Sequence, residues 1–140
     1  MSRPAYRILA PDLLAAIFDR LAEECADLRV GDDLPDPAFP PFVVLGEFEQ
    51  DSEATKSSSG ARISARLEVY SQAAGFLEAS TIADRVVEAI TKAPLVSPTA
   101  QFSAASAPYA SGRRAQHTST GEIYRQVSLR FEFLVARRKA

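Results

Sequence analysis

A chain of 140 residues, 46% of them hydrophobic, is the size of one ordinary domain and can bury a core without a metal or disulfide staple, so a single domain over residues 1–140 is expected. Its 16 basic and 18 acidic side chains leave a net charge of −2, which excludes the overall basic field of a typical nucleic-acid binder. A lone Cys25 excludes an internal disulfide, and Leu13 to Phe18 is cut short by Asp19 and Arg20, too soon for a signal peptide or a membrane span, so a soluble cytosolic product is expected.

In chain order, "APDLLAAIFDRLAEECADL" sets Leu13, Leu14, Ile17, Phe18, Leu21, Cys25 and Leu28 on one helical stripe, with Pro11 suited to the first turn and Asp12 to the positive end of the dipole. That stripe makes Cys25 a small core residue rather than a nucleophile. The proline-rich "RVGDDLPDPAFPP" cannot continue a helix and suits an extended connection. In "FVVLGEFEQ", Phe42, Val44 and Phe48 alternate with Val43 and Leu45, which predicts a strand buried on both sides at its start. "DSEATKSSSGA" predicts a long polar hairpin loop, and loops of such length commonly carry function.

"ARISARLEVYSQAAGFLEASTIADRVVEAI" changes period in mid-course. Ile63, Ala65, Leu67 and Val69 alternate with polar residues, and then Phe76, Ala79, Ala83, Val86, Val87 and Ile90 follow at helical steps. A strand is therefore followed by a second helix, from about Phe76 to Lys92, halted by Pro94 and carrying a Glu88–Lys92 surface pair. Ala100, Phe102 and Ala104 permit a further strand, "RRAQHTSTGE" reads as a second polar loop, and "IYRQVSLRFEFLVARR" shows the clearest alternation in the chain. The order α-β-β-α-β-β predicts an α+β fold: a two-layer sandwich whose four-stranded, mainly antiparallel sheet carries two helices on one face. The opposite face would present Arg66, Glu68, Tyr70, Tyr124, Gln126, Arg130 and Glu132, which solvent tolerates and which would also suit a partner.

Groups that carry chemistry are sparse. The chain has no phosphate-binding glycine loop, no nucleophile elbow and no cysteine pair with metal spacing. His117, the single histidine, lies in a polar loop as either a solvated side chain or a base, and one histidine cannot supply a typical zinc site. Glu47 and Glu49 share one side of a strand, the geometry of an acid/base pair or a hard-cation site as well as of a solvated strand end. Arg113 and Arg114 suit phosphate, a partner's carboxylate or plain surface charge. Arg137, Arg138 and Lys139 form a basic tail of the kind that frays into solvent.

"FPPFVVLGEFEQ" and the strand-helix stretch after it resemble the tail-terminator, or tail-completion, proteins of long-tailed phages and gene transfer agents. The resemblance rests on Pro41, Phe42, Val43, Leu45, Gly46 and Glu47, then Val69, Tyr70, Ser71 and Gly75, then Ile82, Ala83, Asp84 and Val86. It covers Leu13 to Ile90, and where the family often has Trp this chain has Tyr70. The resemblance implies a non-enzymatic virion protein, made in the host cytoplasm and assembled into the neck of a phage-like particle without a cofactor. It implies a ring, typically a hexamer, that caps the head-proximal end of the tail tube and joins it to a neck or connector protein while DNA passes through the opening. On that reading Arg66, Glu68, Tyr70, Tyr124, Arg130 and Glu132 are expected between subunits. The loops Asp51 to Gly60 and Ser111 to Gly121, with Asp51, Glu53, Lys56, Arg113, Arg114 and His117, are expected against tube or neck. The competing expectation is a small cytosolic ligand-binding or catalytic domain using Glu47, Glu49 or His117.

Overall fold

Both helical periods are realised, in α1 (Ala10–Glu24) and α2 (Leu77–Thr91), and the alternating stretches form β2 (Phe42–Asp51), β3 (Ala61–Ser71), β5 (Ala100–Ala104) and β7 (Ile123–Arg137). The structure, a computed structural model, describes residues 10–31, 41–51, 61–98, 100–104, 109–116 and 121–137. Among them three further strands occur where the sequence reads as connection or loop: β1 (Arg29–Gly31), β4 (Leu95–Val96) and β6 (Tyr109–Gln116).

The strands join in the order β1-β2-β3-β7-β5-β4, and β6 also pairs with β7. Only β1 and β2 run parallel; the remaining pairs are antiparallel. The expected four-stranded, mainly antiparallel sheet with two helices on one face is overturned by this seven-stranded mixed sheet, which curls strongly into a half-barrel. The reason is local. β1 and β4 are too short to show a period, and β6 has no apolar side at all, so its place is dictated by register with β7 rather than by burial.

β5 and β6 lie end to end along one edge of β7. Ala104 faces Phe133 and Tyr109 faces Arg130, so along β7 only Phe131 and Glu132 separate the two pairings. The predicted loop from Ser111 to Gly121 is accordingly corrected: Ser111 to Gln116 is strand, and Gly121 holds a positive φ of 75° before β7 begins.

Gly46 is an extra residue in β2. Leu45 pairs with Leu67 and Glu47 with Arg66, which leaves Gly46 unmatched in a β-bulge. The bulge moves Phe48 to the side of Val43 and Leu45, opposite Ala65, and so corrects the expectation that Phe48 shares a side with Phe42 and Val44. A Cβ at Gly46 would lie 3.2 Å from the Glu68 carboxyl and 3.3 Å from Arg66 Cδ, so the missing side chain leaves room for both neighbours.

The core is one hydrophobic cluster. Leu13, Ile17 and Leu21 from α1, Cys25 just beyond its end, and Ala79, Ala83, Val86 and Ile90 from α2 meet Ile63, Leu67, Phe102, Leu129, Phe131 and Phe133 from the sheet. Each large side chain among them contributes about 1.5–3 kcal/mol relative to exposure. Burial pushes the Cys25 thiol up from its ordinary value, as the core reading of that residue requires.

Polar ties lock the helices to each other and to the sheet. Arg20 donates to the carbonyls of Ala89 at 2.8 Å and Ala93 and Pro94 at 3.1 Å, satisfying the end of α2. Lys92 pairs with Glu24 of α1, in place of the expected Glu88 side chain, and Arg85 pairs with Asp27. Ser71, fully buried, donates to Glu78 Oε1 at 2.6 Å and accepts from the Ala73 amide at 3.1 Å, and Gly75 then turns at φ 78°. Ser71 and Gly75 thus shape the turn that leads β3 into α2.

Candidate assembly interface

The face of the sheet turned away from the core is built in rows across the strands. One row runs Glu47, Arg66, Arg130, Tyr109; the next runs Val44, Glu68, Ser128, Ser111; a third runs Phe42, Tyr70, Gln126, Arg113. On the other side of the first row stand Glu49, Ser64 and Glu132. Strand alternation alone therefore brings together Arg66, Glu68, Tyr70, Arg130 and Glu132, five of the six side chains expected between subunits, and Tyr124 joins them by packing on Tyr70.

The aromatic part is a short ladder. Phe42 stacks on Tyr70 with ring centroids 5.1 Å apart, and Tyr124 meets Tyr70 edge-on at 6.4 Å. Tyr70 donates to Glu68 Oε2 at 2.9 Å. Burial, reinforced by that carboxylate, pushes the Tyr70 phenol up to about 12. Tyr124 donates to Glu122 at 3.1 Å.

The charged part mixes both signs. Arg66 and Arg130 stand directly opposite each other, a pairing that is unfavourable for like charges. Arg66 reaches Glu47 at 3.3 Å, an exposed ion pair of small energetic weight. With Arg113 these two arginines line an open groove of about 260 Å³ in which Glu68 is the one carboxylate, beside Tyr109 and Gln126. Within the groove three guanidinium forks stand around one acid, with Glu47 reaching Arg66 from outside it, a lining suited to carboxylates or other anions.

The sequence reads Arg113 as a loop residue; the structure sets it in β6, where its Nε donates to Gln126 Oε1 at 3.1 Å. Gln126 is thereby buried, although its strand position alone reads as exposed. The signal for β6 is faint: in "YASGRRAQ" Tyr109, Ser111 and Arg113 alternate with Ala110, Gly112 and Arg114, without an apolar period.

Arg114 lies in β6 opposite Arg125, whose guanidinium sits 5.6 Å from the Phe76 ring centroid. Asp51 is the last residue of β2, paired with Arg62. Glu53, Lys56 and His117 lie outside the described residues, as do Arg138 and Lys139. Glu47 and Glu49 edge a second depression, of about 90 Å³, with Arg66 and Arg130. Among the described residues no group of three or more acidic, histidine or cysteine side chains converges to hold a metal, and no helix is long and apolar enough to cross a membrane.

The curled sheet thus has one face on the core and the other carrying aromatic rings and charges of both signs. Residues 13–136 match the family described as tail completion protein gp17, and the chain belongs to that family, as a structural protein of a phage-like tail. Among solved structures, a chain from the virion of a native gene transfer agent particle shares the fold with a TM-score of 0.68. It is 23% identical, and the match covers 95% of this chain and 100% of that one. No curated protein matches the chain.

Proposed function

We propose that copies of this chain close into a ring, sixfold in symmetry, on the head-proximal end of a tail tube. The ring ends tube polymerisation and offers the neck proteins a surface, while DNA passes through its opening. The observation that carries this reading is the open groove in which Arg66, Arg130 and Arg113 surround Glu68, with Arg66 and Arg130 directly opposite each other. A neighbouring copy would add acids to that groove, with Glu68 and Glu132 as further charged contacts and Tyr70 and Tyr124 as aromatic anchors. Family membership and the shared fold of a gene transfer agent virion chain support placement in such a particle. The segment from Asp51 to Gly60 and the residue His117 are assigned to tube or neck. Arg113 belongs by position to the arginine face.

Imaging of particles, and of tails made without this chain, tests the proposal. The expected result is density for a ring at the head-tail junction, with overlong, headless tails in its absence. Tails of normal length joined to heads without the protein would overturn it.

A further inference from the structure

Two strand edges are open at opposite sides of the sheet. β2 pairs with β1 only through Phe42 to Val44, so from Leu45 to Asp51 its outer edge has no strand partner among the described residues. β6 pairs only with β7, and its other edge is open along Tyr109 to Gln116 among the described residues. Exposed edges of this length are sites for pairing with another chain.

The two edges complement each other in charge, shape and direction. Gly46 to Asp51 carries Glu47, Glu49 and Asp51 with no base, whereas Tyr109 to Gln116 carries Arg113 and Arg114 with no acid. Each edge repels its own kind and attracts the other. Phe48 stands 44% exposed on the acidic edge, on the core side of the sheet. On the same side of the basic edge Ala110 and Gly112 leave an apolar depression of about 320 Å³, floored by Val127 and Phe76. Because β2, β3, β7 and β6 alternate in direction, β2 and β6 run oppositely. In a head-to-tail ring whose axis lies near the strands, β2 of one copy therefore meets β6 of the next in the antiparallel sense.

We infer that the ring is sealed by strand addition: the acidic edge of β2 in one copy zips antiparallel onto the basic edge of β6 in the next, with Phe48 opposite Gly112 and Glu47 opposite Arg113. This inference rests on the ring reading above and supplies its seam. The same register sets Glu49 opposite Ser111 and Gln50 opposite Ala110, so every pair keeps its side of the sheet. It brings the neighbour's acids to the mouth of the arginine groove. Relative to the rows within one copy the neighbour is displaced by four residues, about 13 Å over roughly 19 Å of sheet width, which calls for a strand tilt of about 35°, within reach of closed sheets.

The test starts from the unmodified chain in particles or in concentrated solution, where a ring must be seen; its absence would remove the ring reading, not the seam alone. Given a ring, Phe48→Cys combined with Gly112→Cys, or Gln50→Cys with Ala110→Cys, is expected to oxidise into a ladder of linked copies, whereas Phe48→Cys with Leu77→Cys gives none. Reversing one edge, by Glu47→Arg with Glu49→Arg or by Arg113→Glu with Arg114→Glu, is expected to raise the concentration needed for assembly by about tenfold or more. Mixing the two reversed chains restores assembly, because each then meets an opposite edge and rescue itself proves both folded. Rings that form without the cysteine ladder, or reversed chains that close rings alone as readily as the original, would overturn the seam.

Discussion

Two sides of one strand, β3, divide the molecule's work. Ile63, Ala65, Leu67 and Val69 are at most 1% exposed, while Ser64, Arg66, Glu68 and Tyr70, one residue along in each case, remain partly open. The first set is held by helices and neighbouring strands, the second by contacts along the open face, such as Arg66 with Glu47 and Tyr70 with Glu68. Burial thus specifies the fold, and on the proposed reading the open side specifies partners.

The comparison breaks most sharply at the core. Leu67→Asp or Phe131→Asp is expected to abolish folding, a loss of about 4 kcal/mol or more, because each buries an unpaired carboxylate. Far-ultraviolet circular dichroism and urea titration check it, and a folded variant of either kind would mean that the two faces are exchanged.

At the junction of the two sides, Ser71→Ala should cost about 1–2 kcal/mol, since the Glu78 carboxylate and the Ala73 amide both lose a partner. Thermal unfolding reads this directly.

Tyr70 sharpens the comparison from the open side. Its folded value of about 12 lies above the 10.0 of an ordinary phenol, so the neutral form is favoured in the native state. Its contribution is complete below pH 10 and lost as pH rises from 10 toward 12, when the unfolded chain releases its proton first. Discounted for a half-exposed ring, the effect is about 1 kcal/mol. Absorbance titration near 295 nm should show one late-ionising tyrosine, and Tyr70→Phe should remove both that step and the associated fall in stability.

The smallest effect on folding belongs to Arg66→Glu, expected to change monomer stability by about 0.5 kcal/mol or less while weakening assembly. Urea midpoints and sedimentation of the same sample separate the two. Loss of folded protein equal to that of Leu67→Asp would assign Arg66 to the core instead.

The strong periods are legible in the order of residues alone. Helical steps in α1 and α2 and alternation in β3 and β7 follow from the need to bury one side of each element. From them the core side chains, the buried Cys25 and most of the polar face can be assigned. Glu53, Lys56 and His117 gain no placement, and the half-barrel is not foreseeable, because its extra strands carry no period of their own.

The sequence by itself determined which residues must be hidden, and hence that a sheet and two helices form. Only the tertiary structure decided the sheet's strand number and curl, the bulge that turns Phe48 over, and the entry of Arg113 into the polar face. Hydrophobic burial is encoded residue by residue, whereas β1, β4 and β6 are held by backbone hydrogen bonds to neighbouring strands, and such bonds are nearly blind to side-chain identity.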